Sequence, residues 1–132
     1  MEGQTWQFAA SREAPFLARH AVSEYAVECG ASSDVLAPLA LCVTEAVTNA
    51  VVHAYRDAPS RGRVSVRADC GDERIRVTVR DEGTGLAPRL DSPGLGLGLP
   101  LIAQMAHGSE VRVPEEGGTE VCIRFNLAMT EA

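Results

Sequence analysis

Two neighbouring runs that alternate apolar with polar residues limit the fold more than any other feature of this chain. In 63–69, Val64, Val66 and Ala68 alternate with Ser65 and Arg67, and in 74–80, Ile75, Val77 and Val79 alternate with Arg74, Arg76, Thr78 and Arg80. Successive side chains of a strand point to opposite faces, so each run buries one face and wets the other. Cys70-Gly71-Asp72 between them predicts a turn, and with it a hairpin. Val121, Ile123, Phe125 and Leu127 repeat the alternation near the end of the chain. Val111 and Val113 mark a further strand, Pro114 to Gly118 a turn, and 5–9 a short first strand with Trp6 and Phe8 on one side. A sheet with one apolar face needs a cover for it.

The cover is legible in the helical spacing. Leu17, Ala18, Ala21, Val22, Tyr25 and Ala26 predict a first helix near 12–29, with Ser11 as N-cap, Pro15 in the first turn and Gly30 as stop. Leu39, Val43, Ala46, Ala50 and Ala54 form a stripe on a second helix from Val35 to about Tyr55, capped by Ser32, Ser33 or Asp34. A short third helix is expected near 98–106, with Pro100 in its first turn and Gly108 able to end it. The order β-α-α-β-β-α-β-β, with hairpins and no regular βαβ repeat, predicts an α+β two-layer sandwich: a mixed, mostly antiparallel sheet with three helices on one face. The 132 residues suit one domain, 1–132.

Composition removes several function classes. All twelve basic residues are arginine. A Walker A loop, a eukaryotic-type protein kinase and Schiff-base chemistry each need a lysine, so all three are excluded. The net charge of −6 disfavours a primary nucleic-acid role, although Arg56, Arg61, Arg63 and Arg67 lie close in sequence. Cys29, Cys42, Cys70 and Cys122 form no CxxC pair, and His20, His53 and His107 add no zinc spacing; free, mostly buried thiols in a reducing compartment are expected. Gln4, Gln7, Arg12 and Glu13 interrupt any leader-like stretch, and the longest apolar run, 36–43, contains a proline and is short of a bilayer span. A soluble, cytoplasmic protein without a membrane role is expected.

Three segments carry chemistry. On the second helix, Glu45, Asn49 and His53 are spaced i, i+4, i+8 and share a face. An amide oxygen can ligate Mg²⁺, a carboxylate one turn away can accept a proton, and an imidazole can donate to a phosphate. Taken alone, the row is as well explained by a solvated helix face. Asp81-Glu82-Gly83-Thr84-Gly85 follows a strand; a carboxylate there accepts from the amine of adenine and repels the carbonyl of guanine, while glycines admit a flat base. An ordinary turn has the same composition. Gly94-Leu95-Gly96-Leu97-Gly98-Leu99 runs into a helix start, where free amides and the helix dipole bind anions without lysine. Its spacing is GxGxG and it follows a loop, unlike a Rossmann site.

Together and in this order, the three segments resemble the N, G1 and G2 boxes of the GHKL (histidine-kinase-like) ATPase superfamily, over essentially 6–127. That resemblance implies the Bergerat ATP-binding fold, with ATP and Mg²⁺ as cofactors. Glu45 resembles the catalytic base, Asn49 the Mg²⁺ ligand and Asp81 the adenine anchor. Gly83 and Gly85 resemble the base-side loop, Gly94, Gly96 and Gly98 the phosphate-side loop with Leu95, Leu97 and Leu99 between them, and Thr119, after Gly118, the late threonine at the adenine end. His53 and Arg89, the one basic residue of a short lid over 86–97, are placed toward phosphate.

No phosphoacceptor-histidine helix pair and no transducer domain accompany these boxes. The string from Thr44 to Tyr55 is most similar to the stand-alone anti-sigma-factor serine/threonine kinases. Their implied activity is phosphorylation of a small STAS-type antagonist and sequestration of a sigma factor. A first-helix arginine, Arg19, resembles one used for partner contact, and relatives form homodimers. The alternative is a nucleotide-dependent protein-binding module without phosphotransfer.

Overall fold

The computed structural model describes residues 2–57, 62–81, 98–115 and 117–128, with side chains taken only to residue 52 in the second helix. The elements are β1 (Gln4–Ala9), α1 (Ala14–Glu28), α2 (Ser33–Asp57), β2 (Arg63–Gly71), β3 (Arg74–Asp81), α3 (Gly98–Met105), β4 (Gly108–Arg112) and β5 (Thr119–Asn126). The strands form one sheet in the order β1-β2-β3-β5-β4, and all four described ladders are antiparallel. This is the expected α+β sandwich.

Register follows from the alternation. Val66 faces Val79 and Val79 faces Val121; Ala68 faces Val77 and Val77 faces Ile123. These residues are buried under α1 and α2 with Phe125, Leu39, Val43 and Val47. The opposite face has no helix among the described residues. It carries Arg63, Arg67, Arg74, Arg76, Arg80, Arg112 and Arg124 against Asp69, Glu110 and Glu120. This face is cationic on a chain whose net charge is −6.

α1 ends in a Schellman motif: Ala31 N–H donates to Ala26 O and Gly30 N–H to Val27 O, with Gly30 at φ +93°. Its start departs from expectation. Glu13 occupies the N-cap and makes no side-chain cap bond, while Ser11 accepts only through its backbone carbonyl, from Ala14 N–H. The β2–β3 turn also sits one residue later than its glycine suggests. β2 continues through Gly71, and Asp72 and Glu73 form the turn at φ +54° and +62°, the two-residue geometry that matches strand twist. Gly108 does not end α3; it opens β4, opposite Arg124. The thiols are free, but only Cys42 is buried; Cys29 and Cys70 are half-buried against the core, and Cys122 is half-buried on the opposite face of the sheet.

α2 carries Pro38 inside its first turns and spans 25 residues. By length and composition its 33–52 stretch is long and apolar enough to cross a membrane. Its apolar side is nevertheless the protein core, with Val35, Leu39, Cys42, Val43, Ala46, Val47 and Ala50 all buried, as expected for a helix sandwiched against a sheet.

Candidate functional site

The direction of α2 brings Glu45 and Asn49, Asp81 and the start of α3 at Gly98 toward one end of the sheet. Near its start, Ser32 N–H donates to Leu127 O, just past the end of β5. Its far end, Asp57, is five residues from Gly62, a span of at most about 18 Å, and β2 begins beside the end of β3, with Val64 facing Asp81. α2 therefore runs from the Asn126 end toward the Asp81 end, with Glu45 at its midpoint and Asn49 in its second half. α3 runs back the other way: beyond its last turn, His107 N–H donates to Arg124 O. Its N-terminus at Gly98 thus points toward the Asp81 end, and α3 packs on α2.

At that end Asp81 is buried, 3 % exposed, and directly faces Thr119, also buried. Gly117 and Gly118 lead into Thr119 at φ +101° and +83°. A Cβ on Gly118 would collide with the backbone carbonyl of Asp81 and lie 3.6 Å from its Oδ1. The missing side chain leaves the space beside this carboxylate open.

On α2, the polar residues divide by how they are satisfied. Thr44 and Thr48 donate their hydroxyls back to Ala40 O (2.8 Å) and Thr44 O (2.7 Å), so both are satisfied within the helix. Asn49 differs: it is 9 % exposed and its buried Nδ2 has no hydrogen-bond partner among the described residues. Which end of the amide faces the gap is set by what it meets. A buried, unanswered amide suits a ligand-facing role better than a structural one. Glu45, one turn before it, is half-buried. Burial, followed by the negative charge of Glu45, pushes the Cys42 thiol up to about 11. The oxygen that the Asn49 amide offers fits Mg²⁺, and the buried Cys42 thiol, held neutral, is no competing ligand.

A model of the histidine kinase-like ATPase domain matches residues 8–125. The chain belongs to this family. The chain is 31 % identical to the anti-sigma F factor of Heyndrickxia coagulans, covering 96 % of this chain and 93 % of that protein. It is 30 % identical to the anti-sigma F factor of Geobacillus kaustophilus over 96 % and 93 %. Among solved structures it matches the RsbU and RsbW domains of a Mycobacterium tuberculosis protein with TM-score 0.74 and 24 % identity. That match covers 96 % of this chain and about a third (32 %) of the other, and shows the shared fold.

In this ATPase domain, Gly98 is the first residue of α3 and Leu99 is half-buried against the core. Gly83, Gly85, Arg89, Gly94, Leu95, Gly96 and Leu97, and the side chain of His53, lie outside the described residues. Arg19 is exposed on α1, 5.3 Å from the ring centroid of Phe16. With His20 and Ser23 it lines a cleft of about 410 Å³ against Ala37, Ala40, Leu41 and Thr44 of α2. Phe16, Leu17 and Leu41 are exposed apolar residues of the two helices that form that cleft. Sequence reasoning missed the steric role of Gly118; its signal was a pair of glycines directly before a strand.

Proposed function

We propose that this chain is an ATP-binding anti-sigma factor that phosphorylates a serine or threonine on a small STAS-type antagonist and sequesters a sigma factor. The supporting observation is the shared end of the sheet: buried Asp81 beside side-chain-free Gly118, buried Asn49 with an unanswered amide, and the N-terminus of α3 directed there. Whole-length similarity to anti-sigma F factors supports the regulatory part.

In this reading Asp81 accepts from the exocyclic amine of adenine, with Thr119, Gly83 and Gly85 at the base edge. Gly94, Gly96 and Gly98 offer backbone amides to the phosphates at the start of α3, with Leu95, Leu97 and Leu99 anchoring the loop. His53 and Arg89 donate to phosphate oxygens. Asn49 holds Mg²⁺, which when bound neutralises phosphate charge. Glu45 takes the proton of the incoming hydroxyl. The antagonist and the sigma factor dock on the α1–α2 cleft beside Arg19. The single domain 1–132 works as a homodimer in the cytoplasm, with its thiols reduced.

The test is transfer of label from γ-³²P-ATP to a matched antagonist. Transfer by the wild type, reduced about 10²–10⁴-fold by Glu45→Ala while ATP still binds, is the expected result. ATP binding without any labelled antagonist would favour a binding module that switches partners by nucleotide occupancy alone. Absence of ATP binding would end both readings.

A further inference from the structure

At the end of the sheet remote from Asp81, Arg74, His107, Gly108, Arg124 and Asn126 surround a pocket of about 260 Å³. Arg74 and Asp81 are seven residue steps apart on β3, about 23 Å along an extended strand, so this pocket is not part of the nucleotide cleft. We propose that it is a binding site for a phosphate group, free or carried as a monoester on a protein side chain.

Three features support this. First, the charges here are unanswered. Arg124 lies directly opposite Arg76 in the β3–β5 ladder, an unfavourable juxtaposition of like charges. Arg76 is answered by Asp69 at 3.5 Å. Arg124 has only the Cys122 sulfur, 3.6 Å from Nη1, and among the described residues neither Arg124 nor Arg74 has an ion pair. No carboxylate lines the pocket.

Second, His107 is oriented as a donor. Its Nδ1 accepts from Asn126 N–H at 2.8 Å, so the imidazole caps the end of β5. An accepting Nδ1 leaves the ring proton on Nε2, available to an acceptor. The ring is fixed edge-on to Phe125, with centroids 5.2 Å apart. Third, Gly108 is matched to Arg124: a Cβ there would lie 2.9 Å from the guanidinium nitrogens. The glycine lets β4 approach without displacing the guanidinium.

Two arginines and one histidine, from β3, β5 and the α3–β4 connection, line the same pocket. A carboxylate has two oxygens in one plane, whereas a tetrahedral dianion offers oxygens in several directions and matches two positive charges. The surrounding arginine-rich face, on an otherwise acidic protein, draws anions toward this end.

The experiment follows the His107 ring resonances by NMR, assigned with His107→Gln, during titration with inorganic phosphate at constant ionic strength. A saturable shift is expected, weakened at least tenfold in Arg124→Gln and in Arg74→Gln, and unaltered in Asp81→Asn. Chloride in place of phosphate should give none. A phosphoserine peptide and its unphosphorylated form identify the source: phosphopeptide binding tenfold tighter than phosphate supports a protein-borne group, and equal or weaker binding supports the free ion. No saturable shift, or one that chloride reproduces or that survives both arginine substitutions in folded protein, overturns the proposal.

Discussion

Gly118 and the backbone carbonyl of Asp81 are packed so closely that no β-carbon fits between them. The strand that presents the buried carboxylate and the turn that leads to Thr119 therefore meet through backbone alone. Gly118→Ala is expected to combine the strain of an alanine at φ +83° with this collision. Each contributes about 1–2 kcal/mol, about 3 kcal/mol together. Because the displaced group is Asp81 itself, ATP affinity should fall as well. Urea unfolding and nucleotide titration of the same variant check both.

Gly30 provides the contrast. Its φ is +93°, yet a Cβ there meets nothing within 4 Å. Gly30→Ala should cost about 1 kcal/mol, from backbone conformation alone, and leave ATP binding unchanged. Equal losses for the two glycines, measured by urea unfolding, would show that the Asp81 contact adds nothing.

Asp81→Asn tests the adenine assignment. An amide in place of the carboxylate still accepts through one oxygen, but its NH₂ can also donate to the carbonyl of guanine. ATP binding should weaken about tenfold or more, and discrimination against GTP should shrink, because a hydrogen bond to a charged acceptor contributes about 1.5–3 kcal/mol. Competition titrations with ATP and GTP give both numbers. Wild-type ATP affinity in this variant would place the base elsewhere.

The thiols give the protein an alkaline limit. Burial raises Cys42 from 9.0 to about 11, with the Glu45 charge adding to it. Cys29 is also raised to about 11, first by desolvation and then by its hydrogen bond with Cys70. Both are held neutral in the folded state, so below pH 9 folded and unfolded chains bind these protons equally. Between pH 9 and 11 only the unfolded chain has released them, and stability falls as pH rises. For Cys42, whose side chain is enclosed, the fall is at most about 2–3 kcal/mol over that window. Chemical denaturation at pH 8 to 11 should show it, with a shallower slope in Cys42→Ala. At pH 8, iodoacetamide should leave Cys42 largely unmodified in the folded protein.

Much of the fold is legible in the sequence because period-two alternation in 63–69, 74–80 and 121–127 is a direct image of burial. The sheet order is not: β5 lies between β3 and β4, a non-local pairing that no local pattern encodes. The misplaced turn has a simple cause. Gly71 advertises a turn, but the left-handed residues are Asp72 and Glu73, since the strand pairing of Gly71 with Arg74 fixes where the chain reverses. Gly108 misleads in the same way, because its constraint is the Arg124 guanidinium across the ladder. At the candidate site, the helical spacing of Glu45 and Asn49 is visible in one dimension. That Asn49 is buried and Glu45 only half so depends on α3 and the sheet around them, and so does the meeting of Gly118 with Asp81.

Asn49 separates stability from function most sharply. Its Nδ2 is buried without a partner among the described residues, and an unsatisfied buried amide costs about 1–3 kcal/mol. Leucine has nearly the same shape and no polar atoms to leave unpaired. Asn49→Leu is therefore expected to unfold at higher urea concentration, with a gain of about 1 kcal/mol, while losing the Mg²⁺-dependent part of nucleotide binding. A structural asparagine behaves oppositely, since its replacement breaks a bond that the fold relies on. Paired measurements, urea unfolding without nucleotide and ATP titration with and without Mg²⁺, distinguish the two. A variant that is destabilised yet binds Mg²⁺–ATP normally would remove Asn49 from the site. A stabilised variant that no longer responds to Mg²⁺ would identify the unanswered amide as a group kept for its ligand, at the expense of stability.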